Sequence, residues 1–240
     1  MTTPTAVHTS LLRVPNVVLP DLSHLRSVDY ERVYEPSDDT FLLVDALSAD
    51  ADVIRERQPA LCVEIGSGSG CVITHLGTLL PPGSAALLAT DINPHAAATT
   101  VATGKANRQP VGAALMDLLS AVRPGCVDVL VFNPPYVPTS AEELAEAEAS
   151  GGIAASWAGG PRGRVVLDRL LPALGSLLSA RGLFYLLGVA ENEPQQIREL
   201  LADAHNMRCD VIAERRAQNE RLFVMRCARG PAHGAAGGAS

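Results

Sequence analysis

Asn133 stands at the end of an apolar run, Val127-Asp128-Val129-Leu130-Val131-Phe132, and is followed at once by Pro134, Pro135 and Tyr136. A run of that kind makes a buried parallel strand. The two prolines stop it, because they cannot donate ladder hydrogen bonds, and Pro134 biases Asn133 to extended backbone. The expectation is a rigid turn at the C-terminal end of a strand, with a primary amide at its edge. In open α/β sheets, ligands bind at that edge. Asn133 brings an acceptor oxygen and an NH2 donor, and Pro134 brings a carbonyl acceptor. The Asn133 oxygen and the Pro134 carbonyl together suit both hydrogens of a substrate NH2 group. Such a grip orients the nitrogen lone pair and favours a pyramidal, more nucleophilic nitrogen over a flat, delocalised one. The plainer alternative is a proline-stopped strand with Asn as a turn residue.

A second group of residues suits a ligand with a ribose. Ala60-Leu61-Cys62-Val63-Glu64-Ile65 reads as the first buried strand and runs into Gly66-Ser67-Gly68-Ser69-Gly70. Glycines permit the tight turn and let a ligand approach the backbone, and a helix N-terminus behind them favours an anionic group. The spacing is GxGxG and lacks the third glycine of the dinucleotide pattern. The next apolar run, Ala85 to Thr90, ends in Asp91, about the 20 residues beyond a glycine turn expected of a ribose-binding acid. An N-cap for the helix after Pro94 is the alternative for Asp91. Val111 to Leu115 is a third strand, with Asp117 just past its end. Glu64, Asp91 and Asp117 therefore close three successive strands. Acids facing one crevice suit a polyhydroxyl, amine-bearing ligand better than a phosphate.

These strands need helices between them. Tyr34-Glu35-Pro36-Ser37-Asp38-Asp39-Thr40 opens the first, with Ser37 or Asp38 as N-cap and Phe41, Leu42, Val44 and Leu47 as its apolar face. Acids in a first turn match the helix dipole, which accounts for Asp38 and Asp39. Thr40 is left free to face a ligand. Helices are expected from His95 to Asn107, within Val137 to Ser150, from Val165 to Ser179, and from Glu193 to Ala204. The last has Pro194 in its first turn. Gly182 to Leu187 is the fifth strand, and Cys209–Ala213 and Arg221–Cys227 are two final strands. The loop Gly151 to Gly163 carries the single Trp, Trp157, and reads as a surface connection or a rim of the substrate entrance.

Five strands alternating with helices, then an antiparallel pair, describe one three-layer α/β domain with seven strands, set at residues 29–228. Residues 1–28 read as an extension, largely extended or mobile, with Pro20 to Leu25 able to dock its leucines on the domain, and 229–240 as a disordered tail. The chain has 240 residues, 47% of them hydrophobic, and a formal net charge of −7. The charge argues against life on nucleic acid. No apolar segment approaches the roughly 20 residues of a membrane span, and no secretory signal is read at the N-terminus. Cys62, Cys71, Cys126, Cys209 and Cys227 form no CxxC pair and are expected to be reduced thiols. The scattered histidines give no metal-ligand spacing, so no metal site is expected.

With these residues in place, the sequence resembles class I methyltransferases that use S-adenosylmethionine. More narrowly, it resembles the HemK/PrmC family of protein-glutamine methyltransferases in its eukaryotic release-factor branch. Tyr34 to Thr40, Glu64 to Gly70, Thr90 to Pro94, Asn133 to Tyr136 and Trp157-Ala158-Gly159-Gly160 carry the resemblance. It implies a Rossmann-like seven-stranded sheet with a final antiparallel strand. It implies that Thr40, Glu64, Gly66, Gly68, Gly70, Asp91, Asp117, Leu118 and Asn133 hold the cofactor. Asp91 would take the ribose hydroxyls, and Asp117 and Leu118 would flank the adenine. Asn133 and Pro134 would grip a glutamine side-chain amide, with Pro135 and Tyr136 shaping the slot. The implied substrate is the Gly-Gly-Gln glutamine of a translation release factor, methylated by direct in-line transfer. A small zinc-binding activator subunit is the implied partner, on an apolar surface near the third strand. An extra N-terminal helical domain, as in bacterial relatives, is not expected. The implied location is cytoplasmic, with the nucleus as a further site. The alternatives are an adenine-N6 methyltransferase on DNA or RNA using the same Asn-Pro-Pro-Tyr logic, a protein-lysine side activity, or an idle cofactor-binding scaffold.

Overall fold

Parallel strands buried on both faces need helices on both sides, and the sequence supplies them. The structure, a computed structural model, describes residues 17–150, 153–217 and 220–229. The expectations for residues 1–16, for Gly151 and Gly152, and for Gly230 onward lie outside the described residues. One sheet contains β1 (Leu61–Ile65), β2 (Ala86–Asp91), β3 (Val111–Leu115), β4 (Val127–Phe132), β5 (Leu178–Val189), β6 (Met207–Ala217) and β7 (Glu220–Arg229). Its order is β3-β2-β1-β4-β5-β7-β6. The first five strands are parallel, and β7 runs antiparallel between β5 and β6. The seven-stranded α/β expectation therefore holds, with the final pair longer than its apolar residues alone indicated.

The helices are α1 (Asp38–Ala49), α2 (Ala51–Glu56), α3 (Cys71–Thr78), α4 (Pro94–Ala106), α5 (Ala141–Ser150), α6 (Val165–Leu177) and α7 (Pro194–His205). Alternation along β4 sorts the core. Val129 and Val131 face α1, α2 and α3, whereas Leu130 and Phe132 face α6 and α7. Strand side chains alternate between faces, so one run feeds two cores. α2 was not foreseen; it continues α1 after Asp50.

Register places the chemistry. Ile65 is opposite both Thr90 and Phe132, and Phe132 is opposite Leu186. Gly66, Asp91 and Asn133 therefore leave the sheet along one edge. The chain order reverses between β1 and β4, which makes this the crevice where open α/β sheets take ligands.

Residues 17–28 form no helix or strand, and Pro20 to Leu25 lie along the domain. The described part of the N-terminal extension is docked. Asp21 N–H donates to Asn107 Oδ1 at 2.7 Å, Asn107 Nδ2 returns a bond to the Asp21 carbonyl, and Val17 and Leu22 pack on the core. The polar partner of this segment is Asn107, directly after α4 and 86 residues away in sequence. The expectation of reduced thiols is corrected at one pair. Cys209 and Cys227 are direct partners across β6 and β7 and are joined as a disulfide, while Cys62, Cys71 and Cys126 are free. Scattered spacing hid the pair because strand register, not sequence distance, sets which thiols meet. Among the described residues no helix is long and apolar enough to cross a membrane, and no His, Cys, Asp or Glu group is arranged to hold a metal.

Candidate active site

The glycine turn has two kinds of glycine. Gly66, Gly68 and Gly70 all take left-handed backbone, at φ 64°, 53° and 75°. A Cβ on Gly70 would sit 2.7 Å from Thr100 Cα, so that glycine lets α4 pack closely. A Cβ on Gly66 or Gly68 would meet nothing nearer than 3.9 Å. Those two leave space on the outer side of the turn, where a ligand can approach the backbone. The turn is pinned from behind. Thr103 Oγ1 donates to the Ser69 carbonyl at 2.6 Å, and the Ser67 and Thr100 hydroxyls are 2.8 Å apart.

Two of the three strand-end acids serve this turn. Glu64 is buried, and its Oε2 accepts from the Ile73 N–H at 2.9 Å, tying β1 to the start of α3. Burial pushes its carboxyl well above the ordinary range, with the nearby Asp91 charge adding to the shift. Asp91 Oδ2 accepts from Gly68 N–H at 3.1 Å and Oδ1 from Asn93 N–H at 2.8 Å. Burial raises its pKa too, against the lowering effect of those backbone donors. Asn93, not Asp91, caps α4, accepting from His95 N–H at 2.9 Å. That removes the capping alternative for Asp91. Asp117 differs from this pair: it is half exposed, and its carboxylate is held by Arg169 from α6. Leu118 beside it has φ 49°. These residues fit a nucleoside-bearing cofactor: a buried acid lies beside a turn whose outer face is clear.

The substrate side centres on a residue that sequence reasoning assigned to the helix dipole. Asp39 is 3% exposed, in the first turn of α1. Its Oδ2 accepts from Asn133 Nδ2 at 3.0 Å and from the Tyr34 hydroxyl at 3.1 Å, with the Tyr136 hydroxyl 3.5 Å away. Its Oδ1 accepts from Thr40 N–H at 2.6 Å and the Thr40 hydroxyl at 3.2 Å. Thr40, expected to face a ligand, is buried, and its hydroxyl also receives the Ser37 N–H at 3.4 Å. Burial, then the Asp39 charge, raises the pKa of both Tyr34 and Tyr136, so both phenols stay protonated and donate.

A carboxylate that only accepts fixes which way the Asn133 amide points. Its NH2 faces Asp39, and its Oδ1 is buried without a partner. Leaving a buried acceptor unpaired costs about 1–3 kcal/mol, which a ligand donor would recover. Pro134, Pro135 and Tyr136 follow directly, Pro134 and Tyr136 both buried.

The loop after α5 braces this turn. Val137 bridges Ala158 in parallel, with Val137 N–H donating to the Trp157 carbonyl at 3.0 Å and Gly159 N–H to the Val137 carbonyl at 2.9 Å. A Cβ on Gly159 would sit 2.5 Å from the Pro135 carbonyl oxygen. The glycines of this loop therefore allow backbone to press on backbone. The loop is a brace for the turn, with Trp157 41% exposed at its edge.

Comparison with known proteins shows the family to which this sheet and its site belong. Residues 38–149 match the family model "Methyltransferase small domain". "Methyltransferase HEMK2" of Mus musculus is 42% identical over 218 residues, covering 90% of this chain and 98% of that protein. The "eRF1 methyltransferase catalytic subunit mtq2" of Schizosaccharomyces pombe is 36% identical over 222 residues, covering 88% of this chain and 95% of that one. A solved E. cuniculi Mtq2-Trm112 complex, described as responsible for methylation of the eRF1 translation termination factor, superposes with a TM-score of 0.59. It is 26% identical and covers 82% of this chain and 99% of its counterpart.

Proposed function

The chain belongs to the HemK family of methyltransferases, beside HEMK2 and the eRF1 methyltransferases, and from that premise we propose that it N-methylates the glutamine amide of a Gly-Gly-Gln release factor. S-adenosylmethionine is the cofactor and supplies an electrophilic methyl group on a sulfonium. The observation that carries the reading is the buried, unpartnered Asn133 Oδ1, with Pro134 next in the chain to supply a carbonyl. Asp39 takes the Asn133 NH2, so the oxygen is committed to accepting. The two acceptors hold both hydrogens of the glutamine NH2 and aim its lone pair at the methyl group. Catalysis is then positioning in a site closed to water, with no covalent enzyme intermediate. The product nitrogen is acidic enough to release its proton after transfer. Asp91 accepts from the ribose hydroxyls, Gly66 and Gly68 admit the cofactor to the backbone, and Asp117 and Leu118 border its base.

The activator subunit belongs on the β3 side. β3 is an edge strand with Leu115 61% exposed, and Ile92 and Val101 nearby are 66% and 44% exposed. A shallow cavity lined by Val101, Lys105, Arg108 and Val111 adjoins it. An unpaired edge with apolar side chains invites a partner. We place the complex in the cytoplasm, where release factors act.

The test is methyl transfer from labelled S-adenosylmethionine with the chain co-expressed with its activator. The substrates are a Gly-Gly-Gln factor, its Gln→Ala variant, and DNA. Label on the wild-type factor alone, lost with Asn133→Ala, is the expected result. Label on DNA would replace glutamine by an adenine amine.

A further inference from the structure

Asn192 spends its side chain on backbone alone. It sits in the short turn Ala190–Asn192 after β5 and is 2% exposed. Every polar atom of its side chain is used. Oδ1 accepts from Val189 N–H at 2.7 Å. Nδ2 donates to the Tyr136 carbonyl at 2.9 Å and to the Arg162 carbonyl at 2.9 Å, with the Gly163 carbonyl at 3.4 Å. One amide thus joins the end of β5, the exit of the Asn-Pro-Pro-Tyr turn and the end of the brace loop.

That turn needs outside help for a chemical reason. Pro134 and Pro135 have no N–H, so at its centre the turn has only carbonyls and side chains by which to be held. Asn192 holds the carbonyl two residues beyond Pro134. The partner segment is shaped to fit: Arg162 and Gly163 both have left-handed backbone, at φ 60° and 64°, and a Cβ on Gly163 would collide with the Tyr136 carbonyl oxygen at 1.8 Å. The segment is anchored below by Arg164. This guanidinium is 1% exposed and donates to Asp168 Oδ1 at 2.6 Å and to Gln196 Oε1 at 2.5 Å.

We propose that Asn192 is a positioning residue for methyl transfer: it sets the backbone from which Asn133 and Pro134 grip the substrate amide. The inference rests on the glutamine reading and adds a residue to that site. Asn192 touches no cofactor residue, so its loss moves the substrate grip and leaves cofactor binding in place.

Asn192→Asp is the sharpest test. It keeps the acceptor for Val189 N–H and replaces the NH2 with an oxygen facing three carbonyl oxygens. In the full chain with its activator, kcat should fall about tenfold or more, towards the roughly 10²-fold that an ångström of misplacement costs. The Kd for S-adenosylmethionine should stay within about twofold, a change of roughly 0.4 kcal/mol. Hydrogen exchange at the Val137 and Gly159 amides should quicken, since both lie in the loosened brace. Tyr185→Phe, which deletes a buried hydrogen bond to Asp50, is the control for lost stability and should keep kcat. If Asn192→Asp gives no folded protein, Asn192→Ser carries the same readouts with a single donor. Unchanged kcat with unchanged exchange overturns the proposal, as does a loss of kcat matched by Tyr185→Phe. A wild-type enzyme inactive on the Gly-Gly-Gln factor refutes the glutamine reading instead. The exchange measurement uses no substrate and still judges Asn192.

Discussion

Replacing Asp39 by Asn tests the site without changing its volume. In the native protein the Asp39 carboxylate receives Thr40 N–H on one oxygen and the Asn133 NH2 on the other. An Asn at 39 keeps its oxygen on Thr40 N–H, because that bond is short and buried, and so turns its own NH2 towards Asn133. Two NH2 groups cannot share that space, so the Asn133 amide rotates. Its oxygen then faces residue 39, and its NH2 faces the substrate. The substrate amine loses one acceptor, worth about 1 kcal/mol, and meets an unpaired donor, at about 1–3 kcal/mol. The sum, about 2–4 kcal/mol, corresponds to roughly 30- to 1,000-fold in kcat/KM at 1.36 kcal/mol per decade. Single-turnover transfer from labelled S-adenosylmethionine to the Gly-Gly-Gln factor reads the rate, and titration calorimetry reads cofactor affinity. The affinity should hold, since the cofactor cradle is built by Gly68 and Asp91. Asp39→Asn working at the wild-type rate while Asn133→Ala is dead would refute the orientation argument.

The two kinds of glycine should separate. Gly68→Ala should cost about 1–2 kcal/mol of stability for its left-handed backbone and abolish most cofactor binding, because the new methyl enters open ligand space. Gly70→Ala adds overpacking against Thr100, about 1–3 kcal/mol more, and should show a larger fall in denaturant midpoint. For Asp91 the sign is worked from its raised pKa, above the ordinary value of 3.8. Its native contribution to stability is fully present below that ordinary value and is lost as pH rises through the raised one. Cofactor affinity should run the opposite way, falling as pH drops through the raised pKa, because the ribose hydroxyls need the carboxylate. Calorimetric affinity that is flat across mildly acid pH would remove Asp91 from that role. Leu115→Asp, at an exposed edge position, should change stability by only about 0.5 kcal/mol yet prevent co-purification with the activator; an intact complex would move that interface elsewhere.

Local chemistry is what the sequence by itself determined. Pro134 and Pro135 end β4 wherever the strand lies, Gly66 to Gly70 turn after β1, and an apolar run long enough for a strand needs no partner to be recognised. Those signals placed Asn133, Glu64 and Asp91 at strand ends, and five parallel strands then put the ends together. Tertiary structure decided what those residues touch. Asp39 lies 94 residues from Asn133, and its acid side chain satisfied a local explanation at the start of α1. Asn192 lies 56 residues from Tyr136 in a turn with no motif. The Cys209–Cys227 pair depends on β6–β7 register, and the pairing of Asp117 with Arg169 on how α6 packs beside the end of β3. Periodicity and turn chemistry act within a few residues, whereas a hydrogen bond between distant segments exists only once the packed sheet has brought them within 3 Å.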